Sequence, residues 1–251
     1  MLRLTTIALA ACATAITAMP AAKAADIPEP IPTVVLRGWY LRGDIGYANQ
    51  YVDSLYNVLY DDYDTVDTIY KDFDGAPFLS AGFGYRWASW FRTDVTGEYR
   101  SRSDFTGLDI GYVGADIVPD NYTAQKSEWL ALVNAYFDLG TWHGITPFVG
   151  GGVGAANIRI HDFTDVGVTV DSVAFGGDHS EWNFAWALYA GLGFEVTDAF
   201  TVELAYRYLD MGDAESGNLV GYDGTDNVNN PMKFKDITSH DLKLGVRYAF
   251  Y

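Results

Sequence analysis

Fourteen ionisable residues recur at alternate positions within short stretches of this chain. They are Arg42, Asp44, Arg86, Arg92, Asp94, Glu98, Arg100, Glu128, Glu195, Glu203, Arg207, Asp241, Lys243 and Arg247. Seven are cations and seven are anions. So balanced a set can neutralise itself in a closed space, where an unpaired ion would cost several kcal/mol. Groups that could do bond-breaking chemistry are scarcer. Ser239–His240 offers a hydroxyl beside an imidazole, but a working pair also needs a carboxylate to orient the ring. Asp241 comes next in sequence and so points to the opposite face of a strand. His143 falls in a turn, and His161 and His179 fall in a polar stretch, where they could touch haem or a metal but where solvated histidines are the ordinary case. The run GGGVGAAN at 150–157 lacks both the βαβ setting and the following Lys-Ser/Thr of a phosphate loop. The acids Asp53, Asp61, Asp62, Asp64, Asp67, Asp72 and Asp74, against a lone Lys71, do not keep the ligand spacing of an EF-hand. A hydrated surface explains them, with weak Ca²⁺ or Mg²⁺ association as the functional alternative. No catalytic, cofactor or metal site is assigned, and a non-enzymatic protein is expected.

The elements that would position the charges are strands. Eight segments alternate with period two, at 38–48, 76–87, 91–101, 126–138, 146–158, 182–195, 200–210 and 237–251. Each is close to the nine to eleven residues with which a tilted strand crosses a bilayer. Three connections are tight, and four, at 49–75, 102–125, 159–181 and 211–236, are long and polar. Short–long alternation between antiparallel strands is the connectivity of a membrane barrel, with tight turns on one side and long loops on the other. The apolar parity carries Trp39, Leu41, Ile45, Leu79, Phe83, Val95, Trp129, Val133, Leu204, Leu242 and Leu244. In a soluble sandwich or lipocalin-like barrel, the alternative fold, this face would be the core and the charges would be wet. Three features favour lipid instead: Trp and Tyr near strand ends, balanced charge on the polar face, and small residues there (Ser80, Gly82, Gly84, Gly150, Gly152, Gly154, Gly191, Gly193) that suit a cramped lumen.

The N-terminus reads as an export signal. A basic MLR precedes the apolar LTTIALAACATAITA, and an Ala-Lys-Ala site predicts cleavage after Ala24. Residues 25–37 would be a short periplasmic segment and 38–251 the barrel. LAAC at 9–12 is a weaker lipobox alternative. Cleavage removes the lone cysteine and two of the sixteen cations, taking the formal charge from −17 to −19. A chain this acidic is a poor partner for nucleic acid.

GWYLRGDIGYANQ at the first strand and HDLKLGVRYAF at the last resemble the OmpA/OmpX-like eight-stranded barrels, and more narrowly the outer-membrane immunogenic proteins often described as the porin family. The resemblance implies an all-β fold: an eight-stranded antiparallel up-and-down transmembrane β-barrel with short periplasmic turns and four long extracellular loops, in the outer membrane of a Gram-negative bacterium. It also implies that Leu244, Val246, Tyr248 and Phe250, or the extra Tyr251, form the signal read by the barrel-assembly machinery. Partners would be outer-membrane lipids, lipopolysaccharide and host or phage ligands of the loops. The function expected is support of the outer membrane and display of loops. A narrow passive diffusion channel is the first alternative and a lipid A-modifying enzyme, centred on His240, the remote one.

Overall fold

The computed structural model describes residues 38–169, 172–225 and 229–250. The expected signal at 1–24, the segment 25–37 and Tyr251 lie outside the described residues. Eight strands form the wall: β1 Gly38–Tyr51, β2 Ala76–Ala88, β3 Phe91–Val113, β4 Asp116–Asp138, β5 Ile145–Gly167, β6 His179–Glu195, β7 Phe200–Asp210 and β8 Thr238–Ala249. Every neighbour in sequence pairs antiparallel, and β8 returns to β1 from Tyr40↔Ala249 to Tyr51↔Thr238, which closes the ring. Closure leaves no sheet edge, a condition for a strand protein in lipid.

The alternating parities face as the charges require. Ile45, Leu79, Val133, Leu188, Leu204 and Leu244 are exposed on the outer wall, while Asp44, Arg92, Glu98, Arg100 and Arg207 are buried inside. Two aromatic girdles bound the apolar band. The lower one includes Trp39, Tyr85, Trp87, Phe137 and Tyr248, and the upper includes Tyr99, Trp129, Trp186 and Tyr208. On β4, Trp129 and Phe137 are eight residues apart. At ~3.3 Å per residue that spans about 26 Å along the strand, less once tilted, in keeping with an apolar band of ~25 Å.

Three strands run far past this band. β3, β4 and β5 each hold 23 residues, roughly 75 Å at ~3.3 Å per residue. The stretch 102–125, expected as a loop, is instead the continuation of β3 and β4 to a tight turn at Gly114, whose φ of 59° suits glycine. Most of 159–181 is likewise strand, and Val173–Gly176 folds back on β5. The stretch 49–75 contributes Thr65–Phe73, which pairs with β3 above β2. Ser54–Tyr56, Lys233–Lys235 and Ala214–Glu215 form a small three-stranded lid.

Two irregularities explain why alternation alone missed this crown. The β3–β4 register slips between Arg100 and Ser103, and the β4–β5 register slips between Thr123 and Gln125, next to Asp162 at φ 49°. A bulge inserts one residue and so exchanges the two faces of everything beyond it. Above the slips Phe105, Tyr122, Phe163 and Phe234 are buried inside, and Arg102 and Asp104 are exposed. The Phe234 ring lies 5.0 Å from Phe105, 5.7 Å from Phe73 and 6.1 Å from Phe163, an apolar plug over the lumen.

Candidate functional site

Inside the apolar band the lumen is filled by ion pairs stacked along the barrel axis. Near the end that carries the tight turns Arg92 donates through Nε to Asp138 at 3.1 Å, and its Nη2 lies 3.1 Å from Glu203. Its guanidinium also lies over the rings of Tyr136 (4.3 Å) and Phe148 (4.8 Å), where the negative ring faces attract it. Arg247 reaches Glu203 at 3.0 Å, and Arg86 meets Asp138 at 3.9 Å. One level higher Arg42 joins Asp44 at 2.7 Å, Asp94 at 2.8 Å and Glu203 at 3.5 Å. Above that, Glu98 accepts two hydrogen bonds from Arg207, at 2.6 and 2.9 Å, and one from Arg100 at 2.9 Å. Asp241 is held by the same two arginines, and Lys243 lies between Asp44 and Glu98. At the top Lys126 is bound by Glu128 and Gln50.

Thirteen of the fourteen charges read from sequence enter this lattice. Glu195 does not: as the last residue of β6 it is exposed at the rim, and it makes no ion pair among the described residues. The sequence reading missed Lys126 and Asp138, and it missed five aromatic side chains that fill the lumen: Tyr40, Phe78, Tyr136, Phe148 and Tyr189. Parity could have found them all, since Tyr40 shares a face with Arg42, and Lys126, Tyr136 and Asp138 share one with Glu128. The inward glycines make room for them. A Cβ on Gly150 would come 2.5 Å from the Tyr136 ring, and one on Gly191 would come 2.6 Å from the Phe148 ring.

The Ser239–His240 pair is separated by the wall. Ser239 points inward, where it accepts from Arg100 at 3.0 Å, whereas the exposed His240 bonds to the Tyr206 hydroxyl outside. His161 is a strand residue, 6% exposed. The glycine run 150–157 is interior to β5. Among the described residues no three His, Cys, Asp or Glu side chains gather as a metal site, and no helix is long and apolar enough to cross a membrane.

The sequence profile of the outer membrane protein beta-barrel domain matches residues 8–250. The chain belongs to this family. An uncharacterized protein of Brucella suis biovar 1 (strain 1330) is 32% identical over 274 residues, covering 94% of this chain and 95% of the relative. A relative in Rickettsia rickettsii (strain Sheila Smith), provisionally named an adhesin, is 28% identical over 220 residues, covering 84% of this chain and 87% of its own. Among solved structures, Neisserial surface protein A aligns with 85% of this chain and 97% of its own, at 15% identity and a TM-score of 0.48. The protein is thus an eight-stranded barrel of the Gram-negative outer membrane, its apolar band in lipid, with the tight turns periplasmic and the crown outside the cell.

The crown of this outer-membrane barrel carries a cup of about 360 Å³ lined in part by Tyr60, Tyr63, Tyr122, Asp120, Asp165 and Met232. Burial pushes the Asp120 carboxyl up to about 6, and the nearby Asp109 adds to the shift. Burial, then the charges of Asp120 and Asp109, raise Asp165 to about 7. Tyr60 donates its hydroxyl to Asp109. None of the ion pairs of the described residues includes these three acids, and of the three it is Asp109 that the charge of Lys71 reaches.

Proposed function

We propose that this protein is a sealed outer-membrane anchor that supports the membrane and displays its crown for contact with ligands outside the cell. One observation carries the reading: charged side chains from strands that are not neighbours meet across the lumen at successive levels, from Arg92–Glu203 below to Arg207–Glu98 and Arg100–Asp241 above, and an aromatic plug closes the outer end. Eight strands give an interior that side chains alone can fill. A path for solutes would require several buried pairs to separate together. The length of β3 to β5 supports the display role, because half of each strand stands beyond the lipid. The name of the Rickettsia relative supports a host-surface ligand for the crown. Lipopolysaccharide would surround the upper girdle. The outward row Leu244, Val246, Tyr248 and Phe250 would be the edge read by the assembly machinery.

The test is planar-bilayer recording on the refolded protein, with folding verified by heat-modifiable gel mobility. A sealed anchor gives no steady single-channel steps. Steps of steady, salt-dependent conductance at every insertion would overturn the reading in favour of a narrow diffusion channel.

A further inference from the structure

His161 sits where the β4–β5 register slips, on the outer wall just above the upper girdle. Its Nε2 lies 2.9 Å from the Ser127 hydroxyl, and its Nδ1 lies 3.1 Å from Oδ2 of Asp178. The carboxylate can only accept, so Nδ1 carries the proton and Nε2 is left with a lone pair for the Ser127 hydroxyl. This order of contacts, hydroxyl to Nε2 and Nδ1–H to carboxylate, is the arrangement by which an imidazole activates a serine. The imidazole is shielded from solvent, at 7% side-chain exposure, and Arg159 fixes the same Asp178 oxygen at 2.9 Å.

The surroundings say what the hydroxyl could attack. Ser127 lines a surface cavity of about 340 Å³ with Tyr99 and Trp129 from the girdle and Arg102 and Arg159 from the crown. The rings belong to the membrane–water interface, where the acyl chains join the headgroups, and the guanidinium groups stand just beyond them on the headgroup side. A lipid seated here would lay a fatty chain along Trp129, with an anionic headgroup between the arginines. Arg159 is the ladder partner of Ser127 and so places a cation beside the nucleophile.

The geometry points to Ser127, His161 and Asp178 as a nucleophilic triad that hydrolyses fatty-acyl esters of anionic outer-membrane lipids. Ser127 Oγ attacks the ester carbonyl carbon as its proton passes to His161 Nε2, and a tetrahedral oxyanion forms that Arg159 stabilises. The carbon–oxygen bond to the lipid then breaks, and the leaving alkoxide takes the proton from His161. Water attacks the acyl-Ser127 ester and gives a proton to the imidazole. The fatty acid departs as Ser127 recovers its proton. Asp178 holds the tautomer and balances the transient imidazolium. Water is the only co-reactant. The proposal rests on the placement in lipid and is independent of whether the lumen is sealed.

The test uses the folded full-length barrel. An alkyl fluorophosphonate, which traps activated serines, is added in micelles and the adduct is mapped by mass spectrometry. In parallel the protein is placed in phosphatidylglycerol vesicles or in vesicles containing lipid A, and released fatty acid is measured. The expected result is an adduct on Ser127 and release from one vesicle type, which distinguishes a phospholipid from lipid A as the ester source. Both signals should vanish in Ser127→Ala. In His161→Gln the rate should fall by about a hundredfold or more, the usual contribution of a general base. Asp178→Asn should also react slowly while keeping wild-type heat-modifiable mobility. A folded wild-type protein that gives neither adduct nor fatty acid overturns the proposal and leaves the three residues as a brace for the bulge. Release that persists unchanged in Ser127→Ala overturns it equally.

Discussion

Replacing Glu98 by glutamine tests the lumen lattice where it is most connected. Glu98 is 3% exposed, takes three hydrogen bonds from Arg207 and Arg100, and lies 3.9 Å from Lys243. Glutamine keeps the volume but removes the charge, and it turns an amide N–H towards a guanidinium that needs an acceptor. Two unit charges ~4 Å apart interact by about 4 kcal/mol at an effective dielectric of ~20. Glu98 has three such cationic neighbours, partly offset by repulsion from Asp241. Breaking a buried pair from one side typically costs ~3–5 kcal/mol, and that is the loss expected for Glu98→Gln. Urea unfolding in lipid vesicles, followed by tryptophan fluorescence, measures it. Glu195→Gln is the matched control: the residue has the same charge and lies on the inward parity of its own strand, but it is exposed and outside the lattice, so its change should stay within about 0.5 kcal/mol. If Glu98→Gln unfolded at the wild-type midpoint with an unchanged slope, the inward charges would not be energetically coupled. The account of the lumen as a paired solid would then fail.

Leu204 stands opposite both Leu192 and Leu244 in the middle of the outer wall, so Leu204→Arg should destabilise the inserted barrel by about 2–4 kcal/mol; an unchanged midpoint in the same urea titration would count against the assigned facing. The crown should respond to pH with a definite sign. Asp120 and Asp165 have raised values in the folded state, so between about 4 and 7 the folded chain binds more protons than the unfolded one, and the stability these groups allow is full at low pH and lost as pH rises through the folded values. Hydrogen exchange at the cup, corrected for the intrinsic pH dependence of exchange, should therefore show greater protection near pH 5 than near pH 8. Asp165→Asn should flatten much of that difference, and a slope of the opposite sign would refute the assignment.

The facing of the wall could be read from residue parity because lipid and a charged lumen impose opposite demands on adjacent positions, as Ile45 beside Asp44 shows. The inward aromatics were obscured for a related reason. Tyr136 and Phe148 look like lipid-facing residues by type, and only their shared parity with Asn134 and Gly150 reveals that they stack in the lumen. Glu195 misled in the other direction, since parity fixes a face but not whether a strand end is still inside the barrel. The contacts of His161 had no local signal. Ser127 and Asp178 are 34 and 17 residues away, and the pairing of β5 with β4 on one side and β6 on the other brings them to one imidazole.

The β3–β4 slip resolves an apparent contradiction in the strand pattern. Along β3 the larger apolar residues Val95, Tyr99 and Phe105 keep to odd positions, while Arg92, Asp94, Glu98, Arg100, Arg102 and Asp104 keep to even ones. An uninterrupted strand with this pattern would carry Phe105 to the outside and Arg102 into the interior. In the membrane the outside must be greasy, but in water above the headgroups the same rule would expose a phenylalanine and bury a guanidinium. One extra residue between Arg100 and Ser103 reverses the faces at the height where the solvent changes. Phe105 then turns inward to meet Phe73 and Phe234, and Arg102 turns out to bond Gln125 at 2.9 Å. The β5 slip does the same, with Ile158 and Ile160 inward below it and Phe163 inward above. The bulges are therefore the structural equivalent of the membrane surface: they let one hydrogen-bonded ladder pass from a medium that rewards exposed apolar groups to one that rewards exposed polar groups. His161, paired with Gln125 beside the β5 bulge, stands on the wall at the level of the lipid headgroups.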